Sequence, residues 1–193
     1  MSHLVLVAGL VLFLGIHLFL ALFRDKVGLL KESLGNHVWR SIHSMFALAG
    51  LALIIYGYHL SRMDPVFLWN PPAWTRHTAA LFAGFAMILA VASLVPGNHI
   101  KAAVGHPLYA AVKLWAFAHI IANGRLGDLL LFGSFLAWSI IGFSSARKRD
   151  RKLGTPKPAA TVPATLATLA LGLGLIVAIV LWLHLQLIGV PVA

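Results

Sequence analysis

The chain has 193 residues, of which 60% are hydrophobic and only 10% charged. A soluble domain sits nearer half apolar and about a quarter charged, so this composition excludes a water-soluble globule and needs lipid as its solvent. The net charge of +10 lies in short segments between apolar runs, which excludes nucleic acid as a partner, and the lack of cysteine excludes disulfides, thiolate metal sites, iron–sulfur clusters and covalently attached c-type haem.

A bilayer-spanning helix needs about 20 apolar residues. In chain order such runs lie at Leu4–Phe23, Ile42–Leu60, Thr78–Val95, Leu108–Ala122, Leu126–Phe143 and Val162–Leu187. Each is too long for a strand and lacks alternation, and backbone groups in lipid must be satisfied within the segment, so helices are required. The expected fold is all-α, a polytopic integral membrane helix bundle of about six spans in one domain covering residues 1–193. Asp64-Pro65 and Asn70-Pro71-Pro72 break the chain after the second run, Pro96-Gly97 ends the third, and Pro107 opens the fourth. A basic, proline-containing linker from Lys152 to Pro158 precedes the sixth.

The first run is expected to be an uncleaved helix, because Met1-Ser2-His3 supplies no lysine or arginine before it. Alternating the loops puts Arg24, Lys26, Lys31, Arg40, Lys101, Arg147, Lys148, Arg149, Arg151, Lys152 and Lys157 on one side and only Arg62, Arg76 and Arg125 on the other. The richer side is expected to be cytoplasmic, with both termini periplasmic. Trp69 and Trp74 are expected near the outer interface.

Ionisable residues within a span are costly and point to function. Three stand out: His17 in the first run, and Lys113 and His119 in the fourth. Small Gly15 beside His17 would allow a neighbouring helix or a flat ligand to approach. Imidazole is a common iron ligand, but a histidine bonded to a neighbouring helix is an equal reading. On a helical wheel His106, Tyr109 and Lys113 share one face while Trp115 and His119 point opposite. Lys113 has no carboxylate nearby in sequence; it either snorkels or meets an anion from outside the chain, for which a haem propionate is suitable. Helix rise puts His17 roughly 9 Å and His119 roughly 16 Å from the cytoplasmic edge, so the pair could share an iron only with tilt, whereas His43 or His106 matches His17 better in depth. Ala79, Ala83, Ala86 and Ala90, and Gly133, Ser134 and Ala137, are expected to be helix-packing faces.

Gly15-Ile16-His17, the stretch Trp69 to His77, Gly105-His106-Pro107, the stretch Val112 to His119 and the stretch Phe132 to Trp138 resemble the NnrU family. The likeness covers the first five spans, a core of residues 4–144, leaving a basic linker 145–161 and a sixth helix 162–188. It implies a bacterial inner-membrane protein linked to nitrite and nitric oxide reductase function in denitrification. The family is in turn similar to plant zeta-carotene isomerase, a membrane enzyme that uses haem b. That similarity implies His17 and His119 as metal ligands, while Ala116 stands where the enzyme has a cysteine proposed as an alternative ligand.

Three readings follow. The first is a haem b protein supporting membrane reductase components, with His17 and His119 on the iron and Lys113 or His106 at the propionates. The second is a haem-dependent cis–trans isomerase or redox enzyme acting on a lipid-soluble substrate. The third is a cofactor-free assembly partner whose histidines bond only between helices. A transporter is weaker, since no repeat or intramembrane acid supports ion coupling.

Overall fold

A computed structural model describes residues 2–192, and the apolar runs are helices in it. In chain order they are α1 (Ser2–Leu22), α2 (Arg24–Leu34), α3 (Asn36–Met63), α4 (Trp74–Leu94), α5 (His99–Val104), α6 (Pro107–Ala122), α7 (Leu126–Leu153), α8 (Val162–Ala178) and α9 (His184–Ile188). A π-helical turn at Ile179–Leu183 joins the last two without a break. Among the described residues five helical segments are long and apolar enough to cross a membrane: those of α1, α3, α4, α7 and the continuous Val162–Ile188. The remaining expected span, the fourth run, is α6 and has 16 residues. At about 1.5 Å per residue it is roughly 24 Å long, short of a ~30 Å hydrocarbon core.

Two helices lie outside the expected spans. α2 carries Arg24, Asp25, Lys26, Lys31 and Glu32 and buries Val27 at 6% exposure. Gly35, at φ +83°, turns it directly into α3, a conformation a side chain would strain. α5 is one short turn capped by Asn98, whose side chain accepts from Lys101 N–H at 2.7 Å and donates to the carbonyls of Ala92 and Val95. Helix α7 runs past Phe143 to Leu153, so the basic stretch expected to begin a linker is helical for its first part. Ala, Arg, Lys and Leu there are strong helix formers that hydropathy overlooks.

Contacts order the helices α3–α1–α7–α6–α4–α8, with the most extensive packing between α1 and α3 and between α4 and α6. Helix α7 touches both α1 and α6, whereas no Cα of α1 comes within 8 Å of one in α6. Leu6, Leu10 and Leu14 of α1, Ile54 of α3, Ala116 of α6 and Leu131 and Phe132 of α7 form the buried core. Away from it, Leu166, Leu171, Leu173, Val177 and Leu181 are exposed on the outer helix, a surface only lipid would solvate.

The close seam is between α1 and α3. A Cβ on Gly9 would lie 2.6 Å from the backbone nitrogen of Ile54, and one on Gly50 2.6 Å from that of Phe13. Of the expected small-residue faces, Ala79 and Ala86 are buried. The one expected in α7 is not a seam: Gly133 has only Leu129 of its own helix within 4 Å, and Ala137 is exposed. The close approaches of α7 fall instead at Gly127 against Ser61 and Gly142 against Tyr109. Nothing lies within 4 Å of a Cβ on Gly15, so no neighbouring helix closes on it.

At the end remote from α2, the α3–α4 connection docks on the α6–α7 connection. Leu68 N–H donates to Gly124 C=O at 2.8 Å, and Leu126 N–H donates to Val66 C=O at 2.8 Å. Gly124 is required there because a Cβ would collide with the carbonyl of Trp69.

Candidate functional site

His17 sits near the end of α1, with Nδ1 2.6 Å from the carbonyl of Phe13 one turn earlier. A carbonyl only accepts, so Nδ1 carries the proton, and in the neutral ring Nε2 keeps its lone pair. His119, in the last turn of α6, repeats the arrangement with Nδ1 2.8 Å from the carbonyl of Trp115. Among the described residues neither Nε2 has a hydrogen-bond partner. This fixed ring orientation, with one nitrogen tied and the other open, is how ligating histidines are held.

The two rings have different neighbours. His17 lies with its centroid 4.4 Å from Phe13, 5.2 Å from His43 and 6.4 Å from Trp138. His119 lies 4.5 Å from Phe132 and 5.1 Å from Trp115. No ring contact joins them. An aromatic band fills the interval: Phe13 is 6.0 Å from Phe135, and Phe135 is 5.7 Å from Trp115. Thus the structure brings His17 to His43, the depth match noted above, and sets His119 on a helix that stands apart from α1.

The other two sequence candidates have partners of their own. His106 Nε2 is 2.7 Å from Asp150 Oδ2, linking the start of α6 to the extended end of α7. Lys113 Nζ lies 4.4 Å above the Phe143 ring, which Arg147 also approaches at 5.7 Å. Such a contact stabilises an ammonium by about 0.5–2 kcal/mol, and it leaves Lys113 without a carboxylate.

Two polar atoms beside His17 are buried without a partner: Nε2 of His43 and Nε1 of Trp138. Buried polar groups nearly always find partners, so this corner is a polar anomaly in an apolar interior. Removing an unsatisfied nitrogen relieves about 1–3 kcal/mol of desolvation cost. His43→Leu is therefore expected to raise the melting temperature of ligand-free protein in detergent; a lowered one would mean that His43 has a structural partner in solution.

Sequence reasoning missed a second polar cluster. Asp128, 1% exposed at the start of α7, accepts from Tyr58 Oη at 2.7 Å and from Arg125 Nε at 2.7 Å. Burial works against the Arg125 charge, but the hydrogen bond and charge of Asp128 outweigh it, and the pKa stands above the usual arginine value. The available signal was the pair Arg125 and Asp128 three residues apart at a helix start, where an acid is favoured.

Among the described residues no three His, Cys, Asp or Glu side chains gather where they could hold a metal ion. A haem iron takes four ligands from its porphyrin and needs only one or two from protein. The open Nε2 of either His17 or His119 suits that smaller demand singly, but the two stand on helices separated by α7 with packed aromatic rings between them. Neither the curated proteins nor the solved structures contain a match to the chain. A family model described as NnrU protein matches residues 5–192, nearly its whole length. With its long apolar helices and a match from first span to last, this chain belongs to the NnrU family.

Proposed function

We propose that this protein binds haem b within the bilayer and supports the function or maturation of nitrite and nitric oxide reductases in denitrification, with His17 and His119 as the residues that would hold the iron. The observation that carries the reading is the shared geometry of the two rings, each tied at Nδ1 to its own helix and open at Nε2. Helices α1 and α6 are held apart by α7, and Phe13, Phe135, Trp115 and Phe132 pack in the interval between them, so haem held by both histidines would enter by displacing part of this aromatic packing. Lys113, which has no carboxylate partner, is the cation available to a propionate, while His106 is committed to Asp150. Bound haem would supply an iron centre for electron transfer or Lewis-acid chemistry. The chain's own part is to fix both imidazole tautomers and exclude water. The role in denitrification rests on the family.

Visible spectra of protein purified in mild detergent from haem-replete cells test this. The expected result is a stoichiometric Soret band with sharp reduced α and β bands, lost or shifted in His17→Ala and in His119→Ala and kept in His106→Ala. Full haem with unchanged bands in both ligand variants would overturn the assignment. Loss in His17→Ala and His43→Ala, with His119→Ala unchanged, would move the second ligand to His43. A colourless protein that takes up no added haemin would remove the haem reading.

A further inference from the structure

The corner where α1 ends, α2 runs and α3 begins adjoins His17 through His43 but holds neither of the two proposed haem ligands. Its cavity, about 320 Å³, is lined by Leu20 of α1, Lys31 of α2, and Trp39, Arg40, His43 and Ser44 of α3. Lys31 and Arg40 are exposed, and their side chains make no hydrogen bond or ion pair among the described residues. Glu32 points to a different cavity, shared with Lys26, Phe19, Leu29, Leu30 and Ser33. The cavity therefore offers two free cations, a hydroxyl and an imidazole against an apolar wall made by Leu20 and the buried Trp39.

We propose that this corner binds the phosphate group of an anionic phospholipid. Two cations and a hydroxyl match a phosphate's several acceptor oxygens, and Arg presents paired donors in the geometry a phosphate takes. A volume of about 320 Å³ holds a headgroup but not the acyl chains, which would leave along the apolar flank of α1. α2 is the element a membrane surface would hold: an eleven-residue amphipathic helix beside the apolar end of α1, with cations at both ends. Positive charge next to a bilayer surface attracts anionic lipid by about 1 kcal/mol per residue. Two such residues in one pocket give a preference of about tenfold or more. The inference stands whether or not haem binds, because it uses neither His17 nor His119.

Native mass spectrometry on detergent-purified protein, titrated with phosphatidylglycerol, phosphatidylcholine or inorganic phosphate, tests it. The wild type is expected to retain one phosphatidylglycerol about tenfold more tightly than phosphatidylcholine. Lys31→Ala/Arg40→Ala should abolish that preference. Lys148→Ala/Arg149→Ala, which removes equal charge from the exposed end of α7, should keep it. Arg40→Gln, which removes the charge but keeps a polar side chain, should lower it severalfold and serves if the double variant does not fold. Equal retention of the two lipids would overturn the proposal, as would equal loss in both double variants, which indicates bulk charge. Displacement of the lipid by equimolar inorganic phosphate would overturn it too, since the site would then recognise a free anion.

Discussion

Gly57→Leu is expected to stop the protein from accumulating as a monodisperse species in detergent. Gly57 is buried in α3, and a Cβ there would fall on the Leu6 backbone nitrogen, with the Leu6 Cα only 2.7 Å away. The obstacle is the main chain of α1, which cannot rotate aside as a side chain does. Gly9 and Gly50 make the same approach at Ile54 and Phe13, so one bulky residue would lever apart the whole seam. Overpacking a tight core ordinarily costs about 1–3 kcal/mol, and more when backbone must move. A domain of ordinary stability, about 5–15 kcal/mol, has little room for that. The seam also positions Phe13, whose carbonyl ties His17, so under the haem reading any surviving protein should show an altered haem environment. Gly174→Leu is the control: nothing lies within 4 Å of its Cβ, and a better helix former should be neutral or mildly stabilising. Size-exclusion profiles and thermal melts of the two variants decide the matter. A Gly57→Leu melt within about 2 °C of wild type, a shift worth only a fraction of the expected cost, would refute the seam argument.

That seam was hard to read in the sequence because its glycines come from two helices, with Gly9 about forty residues before Gly50. No window along the chain joins them. The spans themselves were legible because hydrophobic length is a local property, and all six apolar runs are helical. Helix α2 was not, since charge every few residues over an eleven-residue helix gives no hydropathy signal. The overrun of α7 escaped for the same reason: its last turns are basic and helical, and hydropathy reads them as loop. Single ionisable residues in apolar runs drew attention to His17, Lys113 and His119, but sequence could not say what they face. Only the fold places His43 against His17, closes Asp150 on His106 and sets Phe143 beneath Lys113. Asp128, the third residue of the fifth apolar run, gives no sign of its burial in sequence. It is among the most buried side chains because the two connections at that end close over it.

Asp128→Ala should then be among the most damaging substitutions away from the glycine seam. The carboxylate accepts from Tyr58 of α3 at 2.7 Å and from Arg125 at 2.7 and 3.1 Å, the latter two in forked geometry. Truncating it strands the Tyr58 hydroxyl and leaves the Arg125 guanidinium, a quarter exposed, to turn partly to water, a loss of about 1–3 kcal/mol. The net worth of the intact pair is smaller, because its members were desolvated to make it. An apolar replacement of both, Asp128→Leu/Arg125→Met, should therefore recover a substantial part of what Asp128→Ala loses. Chemical denaturation of the three proteins in one detergent reads this directly. A double variant as unstable as the single would mean that packing at the α7 start, not the stranded charge, governs the site. A spectral consequence should accompany the loss. Phe132 lies one turn beyond Asp128 and packs 4.5 Å from His119, so loosening the start of α7 frees the ring that holds this imidazole. Under the haem reading, Asp128→Ala should perturb the reduced α band even where the protein stays folded, and the double variant should restore it.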